Sequence, residues 1–270
     1  MNENTRTVSS FDGVQIRYEC HGRGRTALVF VHGFSCNRRH WDNQVDVFSQ
    51  SYQVVTLDLA GHGDSGRDRT VWDIHGFGED IAAVVRDLGL DDIVLVGHSM
   101  GGFVIPEAAH LMPSETRGIV AVDTLKSLGV YRTPQQIDQS AEPFETDFVG
   151  TMSEVFNGMF LPDSNDELRN EVVKGAVSIP KDIGIEVYKA IRNYENEGLT
   201  ANLKALDIPK FAINSEELSN TDLEAAKKYG VEVLPIKGVG HFVMMEDPDG
   251  FNALLGGVLD QINDKKNSGG

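Results

Sequence analysis

The stretch Ile93-Val94-Leu95-Val96-Gly97-His98-Ser99-Met100-Gly101-Gly102-Phe103-Val104 decides how this chain is read. Four consecutive apolar residues without alternation fit a strand buried on both faces. The Gly-x-Ser-x-Gly turn then reverses the chain tightly, and the residues after it open a helix. A serine hydroxyl is a weak nucleophile unless it is exposed on such a turn, beside a base and near backbone donors for an oxyanion. Strand, turn and helix in this order make Ser99 the candidate nucleophile. His98 next to it points away on the turn and reads as packing.

Outward from this turn, apolar runs bounded by turn residues predict strands at 5–9, 14–20, 27–31, 53–57, 93–96, 118–122, 210–213 and 231–236. Asp12-Gly13 marks a hairpin between the first two, and the later runs read as a mostly parallel sheet. Phe77, Ile81, Val84, Val85 and Leu88 repeat at helical spacing, as do Phe251, Leu254, Leu255, Val258, Leu259 and Ile262 behind Asp247-Pro248. A shorter helix is framed by Thr221 and Glu224 as a capping box and by Gly230 as its stop. Residues 125–205 break the strand–helix alternation and read as a helical cap inserted after the sixth strand. Within them, Phe144, Phe148, Met152, Phe156 and Phe160 fall at successive helical turns. Such a stripe packs the cap on the main domain or lines an apolar acyl or alkyl pocket. The expected organisation is a core domain from 1–124 and 206–263, the cap, and a polar tail at 264–270.

The turn and its surroundings resemble the α/β-hydrolase superfamily over nearly the whole chain, and in particular its serine esterase and lipase branch with a His-Gly oxyanion loop. Leu28-Val29-Phe30-Val31-His32-Gly33-Phe34 matches that family's third strand and following loop, Trp41 stands where the next helix begins, and Asp58-Leu59-Ala60-Gly61-His62-Gly63-Asp64-Ser65 matches its fourth-strand signature. The resemblance implies an eight-stranded α/β-hydrolase fold flanked by helices, with the backbone N–H groups of Phe34 and Met100 forming the oxyanion hole. It makes His32 and His62 loop-shaping residues. His241, in Val239-Gly240-His241-Phe242 after the last strand, fits the family's order of serine, acid and histidine. The acid usually follows the seventh strand, but Leu218 stands at that place in Asn214-Ser215-Glu216-Glu217-Leu218. Some members take it from the end of the sixth strand, where Val120-Ala121-Val122-Asp123-Thr124 offers Asp123. Asp123 is the first candidate, with Glu217 and Glu216 as alternatives. Asp123 otherwise reads as a loop residue bonded to the strand end or capping a helix.

Of the 270 residues, 24 are Lys or Arg and 41 Asp or Glu, a net charge of −17 that repels nucleic acid and anionic membranes. Long-range steering should favour neutral or cationic substrates unless basic groups in the cap reverse the field locally. Arg38 and Arg39 after the oxyanion loop read as solvated charge, with a carboxylate-binding role as the alternative. Cys20 and Cys36 are too few for a disulfide scaffold, and neither a signal-peptide core nor a membrane-length apolar run is visible, so a cytoplasmic protein without membrane partners is expected. No metal-ligand cluster, phosphate loop or dinucleotide fingerprint competes, and no cofactor or metal is expected. Relatives resembling haloalkane dehalogenases and epoxide hydrolases place aspartate where Ser99 stands. The expected activity is cofactor-free hydrolysis of small or medium carboxylic esters through an acyl-enzyme. Lactones, including acyl-homoserine lactones, and carbon–carbon bonds are alternative targets on the same scaffold. A catalytically silent ligand-binding or receptor protein is the alternative of another class. Oligomeric state is left open.

Overall fold

The computed structural model describes residues 4–218 and 220–267. Among them, eight strands form one sheet: β1 (Thr5–Ser9), β2 (Gln15–His21), β3 (Ala27–Val31), β4 (Gln53–Leu57), β5 (Ile93–His98), β6 (Thr116–Val122), β7 (Lys210–Ser215) and β8 (Val231–Ile236). All eight expected strands are present, with ends within two residues of their expected positions. The sheet order is β1-β2-β4-β3-β5-β6-β7-β8. β1 and β2 pair antiparallel across the Asp12-Gly13 turn and β2 joins β4 antiparallel. From β4 to β8 all pairs are parallel. Every residue of β3 and β5 is buried, which is why neither run alternates.

The helices are α1 (Asp42–Phe48), α2 (Ile74–Leu88), α3 (Met100–Leu111), α4 (Pro134–Thr146), α5 (Phe148–Asn157), α6 (Asp166–Ala176), α7 (Lys181–Glu197), α8 (Leu199–Ala205), α9 (Leu223–Lys228), α10 (Val243–Glu246) and α11 (Pro248–Asn267). α2 begins where the Asp73 side chain accepts from Gly76 N at 2.7 Å and ends on Gly89 in the left-handed region. Between these caps it buries Phe77, Ile81, Val84 and Val85. Five helices, α4 to α8, lie between β6 and β7.

Three local expectations change. The aromatic stripe does not run along one helix: α4 stops at Thr146, and Asp147 caps α5 by accepting from Gly150 N at 3.0 Å. The cap of α9 is Asp222, which accepts from Ala225 N at 2.9 Å, while Thr221 takes a hydrogen bond from Asn214. Finally, α11 continues through Asn267, so the expected polar tail from 264 is helical as far as it is described, and 268–270 lie outside the described residues. No helix among the described residues is long and apolar enough to cross a membrane.

The sheet order creates the place for a site. β3 is flanked by β4 on one side and β5 on the other, so the connections leaving β3 and β5 diverge at the carboxyl edge and open a crevice there. The loop after β3 carries Gly33 and Phe34, and the turn after β5 carries Ser99.

Candidate active site

Ser99 sits between β5 and α3 with φ 52° and ψ −114°, a conformation that costs a non-glycine residue about 1–3 kcal/mol. Close packing on both sides holds the turn in this shape. A Cβ at Gly97 would lie 2.4 Å from the carbonyl oxygen of Gly101, and one at Gly101 would lie 2.5 Å from that of Val31. Ser99 N donates to Val122 O at 2.9 Å, and Gly102 N donates back to Ser99 O at 2.9 Å. The loop after β3 runs alongside: a Cβ on Gly33 would stand 3.1 Å from Ser99 Cβ. Cys36 N closes that loop onto Gly33 O at 3.2 Å. Phe34 and Met100 line the same cavity as Ser99, and Met100 opens α3, where backbone N–H groups are free of intrahelical acceptors.

His241 arrives from the loop after β8 and lines that cavity too. Its Nδ1 lies 2.5 Å from Oδ2 of Asp123, which is fully buried at the end of β6. Asp123 is itself held at φ 49°, its Oδ1 accepts from Ser215 N at 2.8 Å, and Lys126 Nζ reaches Oδ2 at 2.8 Å. Burial raises the Asp123 pKa, but the hydrogen bond and charge of His241, with Lys126, outweigh it and hold the carboxyl below its ordinary 3.8. The alternative carboxylates are engaged elsewhere. Glu217 accepts from Gly238 N at 2.6 Å, and Glu216 pairs with Lys237 at 3.4 Å. Of the three acids, Asp123 is the one brought against His241.

Three other histidines shape the loops around the site. His32 donates from Nδ1 to Gly33 O at 2.8 Å and accepts at Nε2 from Leu59 N at 3.0 Å. His62 donates to Ala60 O at 2.9 Å, and burial pushes its pKa down to about 4. His98 does more than pack: its Nε2 donates to the carbonyl oxygen of His241 at 3.0 Å, with ring centroids 4.6 Å apart. Full burial, then the neighbouring His241, keep it well below its ordinary value, so it holds the His241 backbone as a neutral ring.

Ser99 and His241 open on two adjoining cavities. The first, about 110 Å³, is apolar, walled by Phe34, Phe103, Phe144, Val155, Phe156, Met159, Tyr188 and Ile191. Of the five expected pocket residues, Phe144 and Phe156 line it. Phe148, Met152 and Phe160 do not: Phe148 packs against Gly184, Met152 is fully buried, and Phe160 stacks on Phe242 with centroids 5.1 Å apart. α4 ends before Phe148 and α5 ends at Asn157 before Phe160, so a stripe continuous in sequence is divided among three segments. The sequence reading missed Tyr188, Ile191 and Arg192 of α7, whose spacing of three and four residues was the available signal. The second cavity, about 310 Å³, shares Ser99, Phe103, Met159, Arg192 and His241 with the first and adds Asp123, Lys126, Arg132 and Glu195.

Arg38 is not solvated charge. It is buried and paired with Asp58, with Asp64 at 2.9 Å and Glu19 at 3.3 Å, and so ties the loop after β3 to the loop after β4, whereas Arg39 is exposed. Cys36 is buried on the cavity wall, and burial pushes its thiol pKa up. Among the described residues no group of three or more His, Cys, Asp or Glu is placed to hold a metal ion.

A serine on a strained strand-to-helix turn, a neighbouring histidine bonded to a buried aspartate, and a sheet whose strand order opens a crevice at that point define a hydrolase-type site on an α/β scaffold. The model of the alpha/beta hydrolase family matches residues 28–254, and the chain belongs to that family. It is 27% identical over 260 residues to the dihydrolipoyllysine-residue acetyltransferase component of the acetoin cleaving system of Cupriavidus necator, covering 90% of this chain and 66% of that protein. It is 29% identical over 248 residues to a bifunctional esterase/perhydrolase of Acinetobacter calcoaceticus, covering 86% and 80%. A solved structure described as Est816, an N-acyl homoserine lactone degrading enzyme, superposes with TM-score 0.79 at 26% identity over 93% of this chain and 99% of that one. The chain thus spans just under two thirds of the acetyltransferase component and nearly the full length of the lactone-degrading protein.

Proposed function

We propose that this protein is a serine hydrolase of carboxylic esters of small or medium size, working through an acyl-enzyme. Ser99 Oγ attacks the ester carbonyl carbon while His241 Nε2 takes its proton; the oxyanion forms against the backbone N–H groups of Phe34 and Met100. His241 then returns the proton to the departing alcohol. Water, deprotonated in turn by His241, attacks the acyl-enzyme, and the carboxylic acid leaves as Ser99 recovers its proton. Asp123 keeps the proton of neutral His241 on Nδ1, leaving Nε2 as the base, and stabilises the imidazolium between steps.

The observation that carries this reading is the 2.5 Å contact of His241 Nδ1 with the buried Asp123, on a ring that shares a cavity with Ser99. The apolar cavity of about 110 Å³ lies well below the roughly 300–1,000 Å³ of drug-sized ligand sites, which favours short acyl groups. In this reading residues 125–205 act as a cap over a core formed by the rest of the described chain: Phe144, Phe156, Tyr188 and Ile191 all reach the cavity from them. The likeness to a protein described as degrading N-acyl homoserine lactones makes lactones the second substrate class to assay.

Short-chain p-nitrophenyl esters and a lactone panel test the proposal, with Ser99→Ala as control. The substitution is expected to lower kcat by about three orders of magnitude or more. Equal turnover by the native protein and Ser99→Ala across both panels would leave a ligand-binding protein as the better reading.

A further inference from the structure

The two cavities that meet over Ser99 differ in chemistry. One is walled by aromatic and aliphatic side chains; the other carries Lys126, Arg132 and Arg192 with Glu195 and Asp123. Three cations against two carboxylates leave one positive charge uncompensated in a recess that Ser99 and His241 also line. The arginines are held in place rather than waving in solvent. Arg192 Nη1 bonds Glu195 at 2.8 Å and its guanidinium lies 5.1 Å from the Tyr188 ring centre. Arg132 Nη1 reaches the same Glu195 carboxylate oxygen at 3.0 Å. The Arg132 backbone is pinned to α7 through Asn196, N to Oδ1 at 2.7 Å and O from Nδ2 at 2.6 Å. Lys126 is committed to Asp123 at 2.8 Å, which leaves the arginine pair as the anion-facing element. Arg192 alone among these cations lines both cavities, and so stands at the junction where a scissile bond would lie.

We propose that Arg192 and Arg132, with Lys126 at the border, form a subsite for one carboxylate of the substrate, on the far side of Ser99 from the apolar cavity. The preferred ester is therefore monoanionic, with an apolar group on one side of the carbonyl and a carboxylate on the other. This rests on the ester-hydrolase reading above and names the substrate class within it. The planar guanidinium fork suits a carboxylate, and its fixed orientation lowers the entropy lost on binding. The local charge overrides the −17 of the whole chain at the contact distance, because repulsion from distant surface carboxylates is screened over about 8–10 Å while the recess is not.

The test compares kcat/KM for p-nitrophenyl butyrate with that for mono-p-nitrophenyl glutarate, and for phenyl butyrate with that for 4-carboxyphenyl butyrate, so that the charge is placed on the acyl and on the alcohol side in turn. One anionic ester is expected to be preferred over its neutral match. That anionic-to-neutral ratio should fall about tenfold or more in Arg192→Gln, and less in Arg192→Lys, which keeps the charge but not the fork. Arg132→Gln provides a second variant should Arg192→Gln fail to fold. Independently of turnover, calorimetry should find monobutyl glutarate bound about tenfold more weakly by Ser99→Ala/Arg192→Gln than by Ser99→Ala. A ratio that neither arginine substitution moves, or equal binding by the two Ser99→Ala proteins, overturns the subsite. Ester turnover that survives Ser99→Ala overturns the hydrolase reading instead, and the calorimetric comparison still decides the subsite.

Discussion

Asp123 shows how much one side chain's surroundings decide. It receives His241, Lys126 and the Ser215 amide on two carboxylate oxygens, all inside the fold. Asp123→Asn cannot accept from His241 in the same way without presenting an N–H to an N–H, which favours the wrong imidazole tautomer. The expected loss in kcat is about two to four orders of magnitude, against less than threefold for Glu217→Gln, with circular dichroism confirming that both variants are folded. Equal activity of Asp123→Asn and the native protein would remove Asp123 from the proposed mechanism. The sequence located Ser99 and His241 through their position beside strands, but left the acid open among Asp123, Glu217 and Glu216. That choice depends on which carboxylate faces a ring 118 residues away in the chain. His98 was underread for the same reason: its partner is the carbonyl of His241, from the loop after another strand.

The turn from β5 into α3 works as a unit because backbone meets backbone with no room between. Gly101 is the clearest case, since its missing Cβ would lie 2.5 Å from Val31 O and 2.8 Å from His32 O. Gly101→Ala should destabilise the protein by about 3 kcal/mol and lower the proposed esterase activity with it, because β3 and α3 would be forced apart. Urea denaturation checks the first effect, and a loss under 1 kcal/mol would show that the turn relaxes more easily than its packing indicates. Helix α2 was legible from its apolar face, Phe77 to Leu88, and the structure adds the caps Asp73 and Gly89 that bound it. The stripe from Phe144 to Phe160 was legible as apolar but not as divided, because Asp147 reads equally as a surface residue of a long helix and as the cap that starts a new one. Only packing against α7 sends Phe144 to the cavity and Phe148 to Gly184.

Burial of ionisable groups gives the molecule as a whole a defined response to acid. His62 is pushed down to about 4, and His32 and His98 are held well below 6.5, so all three are neutral in the fold while the unfolded chain titrates them near 6.5. Between pH 6.5 and about 4 the unfolded chain therefore binds more protons at His62, which lowers stability by about 1.4 kcal/mol per pH unit, and His32 and His98 act in the same direction. Asp58 and Asp80, raised by burial despite Arg38 and Arg69, act in the opposite direction at the acid end. Asp123, held below 3.8, adds a further loss only under that value. Urea midpoints at pH 7.5, 6 and 5 should decline in that order, and a constant midpoint would contradict the neutral buried rings. The fold and the candidate nucleophile were already legible in local pattern, since buried parallel strands, capped helices and a Gly-x-Ser-x-Gly turn each impose a spacing that survives in one dimension. The partner of His241, the split of the aromatic stripe and the cationic recess were decided by tertiary structure alone. Each depends on groups from distant segments reaching hydrogen-bonding or van der Waals distance, and sequence spacing carries no record of that proximity.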